Sequence, residues 1–189
     1  MRLVLASASP RRAELLTSAG FAFDVEPSDV DETPLPGELP GPYALRVAKD
    51  KAAAAVVRLA DAGTVVLAAD TVVVAVGRIL GKPADPDAAR TMLRLLSNAV
   101  HQVLTAVVVR FAEDERSEVV TTQVRFRALT NDEIEWYLAS GEPFGKAGAY
   151  AIQGRAARFI EWIEGSWSNV VGLPVATVDR LLNGGAVQD

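Results

Sequence analysis

Residues 65–76 read VVLAADTVVVAV. Apart from Asp70 and Thr71 the run is wholly apolar and rich in valine, the composition of a strand buried in a sheet. With Thr64 in front of it, the pattern predicts two strand-like runs, Thr64–Ala69 and Thr71–Val76, with Asp70 between them. A carboxylate in such surroundings is costly unless it is paired, bound to a metal or placed at the exposed end of a strand. Each of those placements is typical of a catalytic acid, base or metal ligand. The plainer alternative is a turn aspartate linking two hairpin strands. Thr71 stands beside it with a hydroxyl.

Working outward from this run, helical and strand patterns alternate. Residues 3–7 read as a short strand. Ser9 then stands as an N-cap, Pro10 suits the first position of a helix over 10–19, and Gly20 supplies its stop. A Pro-rich connection, 27–42, leads into an Ala-rich helix over about 43–61. Asp85-Pro86-Asp87 opens a helix over 86–97, with a cap, a proline in the first turn and an acid at the positive end. The β-branched runs Val103–Phe111 and Val119–Phe126, separated by the charged AEDERSE turn, predict a hairpin. Thr130-Asn131-Asp132-Glu133 is a capping box for a helix ending near Ser140-Gly141. A Gly-rich loop, GEPFGKAGAYAIQG, precedes a strand, Arg158–Ile163. The loop GSWSNVVGLP then leads into a last helix from Pro174 to about Asn183, stopped by Gly184-Gly185. Helices alternating with strands, one hairpin among them, predict a single α/β domain over 1–189 with a mixed sheet.

Composition narrows the function. The chain has 189 residues, enough for one well-cored domain, and half of them are hydrophobic, as in an ordinary globular protein. Cysteine is absent, which excludes disulfides, Cys-zinc sites and thiol nucleophiles and suits a reducing compartment. No signal peptide is visible, and charges interrupt every apolar run well short of a membrane span. A formal charge of −5 and a pI near 5.0 weigh against a general nucleic-acid binder. His101 is the only histidine, so a histidine metal cluster is excluded. No serine sits in a nucleophile elbow, and neither a P-loop nor a dinucleotide fingerprint occurs.

Other residues also break their local pattern. Arg11 and Arg12 fall in the first turn of a helix, where the dipole disfavours cations by about 0.3–1 kcal/mol each. The same place offers unpaired N–H groups to an anion, and arginine adds bidentate geometry for phosphate, with Ser7 and Ser9 close in sequence. Two solvated surface arginines are the alternative. Lys51 shares the apolar stripe of Ala44, Leu45, Ala48, Ala52, Ala55, Val56 and Leu59, so it needs a partner or must snorkel outward. Lys82 in GRILGKP is a weaker signal, since a glycine, a lysine and a proline together often mark only a turn. Lys146 and Gln153 lie in the Gly-rich loop, and Asp31-Glu32 offers carboxylates to a metal or to solvent. Pooled, these side chains make a set suited to a polyphosphate with a divalent metal, where catalysis is mainly positioning and charge neutralisation.

SASPRR at 7–12, RVAKDKA at 46–52, AADTVV at 68–73, GKP at 81–83, KAGAYAIQG at 146–154 and GSWSNVVGLP at 165–174 together resemble the successive signatures of the Maf family. The resemblance runs from about residue 3 to residue 183. It implies an elongated mixed β-sheet flanked by helices, the inosine-triphosphatase-like (Maf/Ham1) architecture. It further implies a cytoplasmic, commonly homodimeric nucleoside-triphosphate pyrophosphatase that uses a divalent metal, Mg²⁺ or Mn²⁺, and acts between the α- and β-phosphates. On the matching positions, Asp70 corresponds to the proton acceptor. Arg11 or Arg12, Thr71 and Gln153 correspond to positions associated with substrate choice. Lys51 and Lys82 correspond to phosphate-site lysines, and Glu32 to an acidic cleft position. Ser7, Arg11 and Arg12 are then expected to grip the triphosphate, and Glu32 to share a metal with Asp70. KAGAYAIQG is similar to the branch acting on dTTP and UTP. The runner-up is a nucleotide-binding regulator of cell division (septum formation) without essential catalysis. Two departures stand out: Ser97-Asn98-Ala99-Val100-His101 lacks the glycine of the usual Ser-Gly-x-x-His stretch, and Trp167 replaces a commoner tyrosine.

Overall fold

The computed structural model describes residues 2–59, 63–111 and 114–184. The expected end of the Ala-rich helix at 60–61, the start of the AEDERSE turn at 112–113 and the stop at Gly185 lie outside them. The elements in order are β1 (Arg2–Leu5), α1 (Pro10–Ser18), β2 (Asp24–Val25), α2 (Pro40–Leu59), β3 (Thr64–Ala75) and β4 (Arg78–Leu80). Then follow α3 (Pro86–Leu96), β5 (Val100–Arg110), β6 (Glu115–Phe126), α4 (Asn131–Ala139), β7 (Ile160–Glu164), α5 (Trp167–Val171) and α6 (Val175–Leu182). Among the described residues seven strands form one mixed sheet in the order β2-β1-β3-β5-β6-β7, with β4 paired to β3. This is the expected mixed α/β architecture.

The chain packs as two compact units. The first comprises Met1–Thr71, Thr105–Val120 and Gly172–Asp189; the second comprises Val72–Leu104 and Thr121–Val171.

In the first unit β1 pairs parallel to both β2 and β3. A core of Leu3, Leu5, Leu16, Val65, Leu67, Val107, Leu173 and Val178 joins β1 and α1 to the later strands and to α6. Helix α1 ends in a Schellman motif: Phe21 N–H donates to the Leu16 carbonyl and Gly20 N–H to that of Thr17, with Gly20 at φ +82°. Ser9 occupies the N-cap position, but its side chain makes no capping bond. Its N–H instead donates to Ser7 Oγ at 3.3 Å. Helix α2 starts at Pro40, three residues before the expected start, because prolines are tolerated in a first turn.

Residues 64–75 form one continuous strand, so Asp70 is not a turn residue. Side chains alternate across a strand whatever their polarity, and a single aspartate does not interrupt a ladder built from backbone groups. The turn comes later, at Val76-Gly77, where both residues have positive φ, +49° and +69°, as a two-residue hairpin turn with the right twist requires. It leads into β4, a strand hidden in the GRILGKP segment, whose Arg78–Leu80 pairs with Val73–Ala75.

In the second unit Asp85 caps α3 through the Ala88 N–H, and Thr130 and Glu133 form the expected capping box of α4. Asn98 takes φ +54°, the conformation for which the missing glycine would have been suited, and its Oδ1 accepts from Arg125. His101, Phe126, Tyr150 and Phe159 build an aromatic core. The strand expected from Arg158 begins at Ile160, after a 3₁₀ turn over Arg155–Phe159. The expected GSWSNVVGLP loop contains the short helix α5, with Trp167 at its start and 47% exposed.

Candidate active site

β1 pairs with β3 only from Arg2↔Thr64 to Leu5↔Leu67, so β3 runs on past the carboxyl end of its parallel neighbour. Carboxyl ends of parallel strands are where α/β sheets place their ligands. Asp70 stands on that extension, buried within it. The loop carrying Ser7 and the start of α1 follow directly from the same end of β1.

Lys51 is buried on α2 and does not snorkel. Its ammonium lies 2.8 Å from Asp70 Oδ1 and 2.6 Å from Glu32 Oε1. Glu32 reaches this lysine because the Pro-rich segment is tied down onto α2. Tyr43 donates its hydroxyl to the Glu32 carbonyl at 2.7 Å, and Arg46 binds Glu38 at 2.8 Å and the Thr33 carbonyl at 3.1 Å. Burial raises the pKa of Asp70 above the ordinary aspartate value, an effect that Lys51 and, more weakly, Arg12 oppose. The carboxylate is thus a stronger base than one in water, yet kept charged by its partner.

Arg12 turns inward and is buried. Nε donates to the Gly172 carbonyl at 2.8 Å, one terminal nitrogen to Ser7 Oγ at 2.9 Å and the other to Thr71 Oγ1 at 3.1 Å. All three acceptors are neutral, and no carboxylate forms an ion pair with Arg12 among the described residues. Burial lowers its pKa, and the nearby charge of Asp70 works against that shift. A buried guanidinium with no carboxylate paired directly to it is costly, and a bound anion relieves the cost. Thr71 Oγ1 also lies 2.9 Å from Thr105 Oγ1 and 3.3 Å from the Gly172 carbonyl. Its hydroxyl therefore serves to hold Arg12. Arg11, one residue earlier, is half-buried.

The first unit thus brings together Ser7, Arg12, Glu32, Lys51, Asp70 and Thr71, with Arg11 beside them. Lys82 and Gln153 belong to the second unit, both exposed. There the segment before Lys82 is joined to the Gly-rich loop, since the Gly148 N–H donates to the Gly81 carbonyl at 3.1 Å. Gly148 has φ +67°, and a Cβ on it would stand 2.9–3.0 Å from the Val73 side chain, so the position needs a glycine twice over. Thr105 and Tyr43 were not singled out in the sequence. Thr105 carried the same signal as Asp70, a polar residue inside a valine-rich strand.

The donor set fits a hard divalent cation. Glu32 and Asp70 direct carboxylate oxygens at one ammonium, where positive charge is already favoured. Mg²⁺ is commonly held by one or two carboxylates with water and substrate phosphates completing its shell. No cluster of three or more His, Cys, Asp or Glu occurs among the described residues, so a dedicated all-protein cage is not what they offer.

Residues 2–184 match the family model described as "Maf-like protein". A dTTP/UTP pyrophosphatase of Anaeromyxobacter dehalogenans is 54% identical over 185 residues, covering 96% of this chain and 92% of that protein. One from Geobacter sulfurreducens is 51% identical, covering 94% and 93%. One from Vibrio vulnificus is 48% identical, covering 96% and 97%. Matched by the family model over nearly all of its length and by relatives at 48–54% identity, the chain belongs to the Maf family.

Proposed function

We propose that this protein hydrolyses nucleoside triphosphates, dTTP and UTP foremost, to the monophosphate and pyrophosphate, and so clears these nucleotides from the cellular pool. One observation carries the reading: a buried aspartate of raised basicity, held by a buried lysine, shares a unit with a buried arginine that forms no ion pair among the described residues. The names of relatives at 48–54% identity support the substrate class. A pure nucleotide binder has no use for a costly buried base, so the regulator reading is not favoured.

In this mechanism Arg12, held flat by Ser7, Thr71 and Gly172, binds phosphate oxygens, with Arg11 and the N–H groups at the start of α1 adding to the grip. Thr71 acts on substrate choice through the orientation it gives Arg12. Asp70 accepts the proton of the water that attacks the α-phosphorus. Lys51 keeps Asp70 ionised until that transfer, and Lys82 neutralises charge on the leaving pyrophosphate. Gln153 reads the base, since an amide pairs with both the N3–H and the O4 of uracil or thymine. Glu32 and Asp70 would hold a divalent metal, Mg²⁺ or Mn²⁺, which would supply charge neutralisation at phosphate and acidify water. No helix of the described residues is long and apolar enough to cross a membrane, and the lack of cysteine suits the cytoplasm. A cytoplasmic homodimer completes the proposal.

The test is a product assay with Mg²⁺ or Mn²⁺ on dTTP, UTP, CTP, the purine triphosphates and 7-methyl-GTP, scoring pyrophosphate and orthophosphate separately. Pyrophosphate from dTTP and UTP is expected, with loss of turnover in Asp70→Asn. Orthophosphate as the product, or binding without turnover on every nucleotide, overturns the assignment.

A further inference from the structure

The turn that carries Gln153 is clamped on both sides by two residues outside the chemistry. Before it, the Ala151 N–H donates to Tyr137 Oη at 3.3 Å. After it, the Arg155 N–H donates to Glu142 Oε2 at 3.0 Å and the Ala156 N–H to Glu142 Oε1 at 3.4 Å. The clamp closes on itself, because the Tyr137 hydroxyl donates to the same Oε1 at 2.8 Å. Tyr137 is fully buried on α4, and burial together with the carboxylate raises its pKa, so it stays a proton donor. The fit is tight: a Cβ on Gly154 would lie 2.4–2.5 Å from the Glu142 carboxyl atoms, so the carboxylate occupies the space a side chain would need. Lys146 adds a bond from its ammonium to the Glu142 carbonyl at 2.6 Å. Between these anchors the Gln153 side chain is exposed and makes none of the bonds.

A carboxylate that accepts backbone N–H groups on one side of a residue, while its tyrosine partner accepts on the other, restrains the backbone between them. Loops hold a side chain in one direction only when such a supporting shell is present. We propose that Glu142, acting with Tyr137, is a positioning residue that aims the Gln153 amide and thereby sets the preference between uracil and cytosine. The proposal rests on the reading of Gln153 as the base-reading residue.

The experiment measures the ratio of kcat/KM for UTP to that for CTP in the full-length enzyme. The ratio belongs to the folded molecules alone, so partial unfolding of a variant does not move it. Gln153→Ala is expected to lower the ratio about tenfold or more. Glu142→Ala is expected to lower it to a similar extent, and Glu142→Gln, which keeps one acceptor oxygen, to restore part of it. In Glu142→Ala/Gln153→Ala the ratio is expected to match that of Gln153→Ala alone, because one residue acts through the other. A wild-type ratio in Glu142→Ala, beside a collapsed ratio in Gln153→Ala, overturns the positioning role. Additive losses in the double variant overturn it as well. An unchanged ratio in Gln153→Ala overturns the base-reading role itself, and the positioning role with it.

Discussion

Lys51 Nζ meets Asp70 Oδ1 at 2.8 Å with each side chain only 10% exposed. Such a pair is poor as a stabiliser, since desolvating two charges costs several kcal/mol per ion, but breaking it is worse. Lys51→Met is expected to cost about 3–5 kcal/mol of stability, and Lys51→Met/Asp70→Leu to recover most of that loss. Urea unfolding of the three proteins checks this; a double variant no more stable than Lys51→Met contradicts it.

Activity separates the two partners. Asp70→Asn keeps the shape and a contact to Lys51 but cannot take a proton. Its kcat is expected to fall by about 10²–10⁴ while triphosphate affinity is largely retained, since general-base catalysis contributes on that order. Equilibrium binding beside steady-state kinetics distinguishes this from loss of the site.

Arg12 is expected to behave in the opposite way. Its three bonds match a flat fork of donors, which the single ammonium of lysine cannot reproduce. Arg12→Lys should therefore weaken triphosphate binding by about 10- to 100-fold, equivalent to one charged hydrogen bond of about 1.5–3 kcal/mol. Titration calorimetry with UTP reads the change, and affinity within twofold of wild type contradicts the role.

His101 gives the fold a pH dependence of its own. Burial lowers its pKa from 6.5 to about 4, with Nε2 at 2.8 Å from Tyr150 Oη. Nδ1 has no hydrogen-bond partner among the described residues. A depressed folded-state pKa means that the unfolded chain binds the proton first. The contribution is complete above pH 6.5 and is lost as the pH falls toward 4, by about 3 kcal/mol over the window. His101→Phe is expected to flatten that part of the stability profile relative to wild type. An unchanged slope between pH 6.5 and 4 contradicts it.

At φ +54°, Asn98 carries a left-handed residue in a place where most side chains are strained. Asn98→Gly is expected to be close to neutral, losing the bond from Arg125 but relieving the backbone. Asn98→Val is expected to cost about 1–3 kcal/mol. Thermal unfolding of both variants checks the order.

Much of this was legible in the chain because the signals were local. The caps at Asp85 and Thr130, the stop at Gly20 and the valine-rich strands each depend on neighbours a few residues away. The pattern breaks at Arg12, Lys51 and Asp70 marked the site because buried charge is rare without a purpose. What stayed hidden depends on distant partners. Nothing near Asp70 shows whether the strand continues through it, since the backbone of the distant strand β5 decides that. Ser9 has the identity of a cap, yet the Ser7 hydroxyl takes its N–H. Strand β4 is three residues long, too short for periodicity to reveal. Glu142 sits in a Gly-rich loop, where an acid ordinarily reads as solvated.

The bond from Arg12 to the Gly172 carbonyl spans 160 residues, almost the length of the chain. A nascent protein emerging from the ribosome folds its N-terminal portion first. Until Gly172 has been synthesised, Arg12 lacks the acceptor for its Nε. The cradle of Arg12 therefore closes only once residue 172 has been made, and in a fragment ending before it the Nε donor is left without that acceptor.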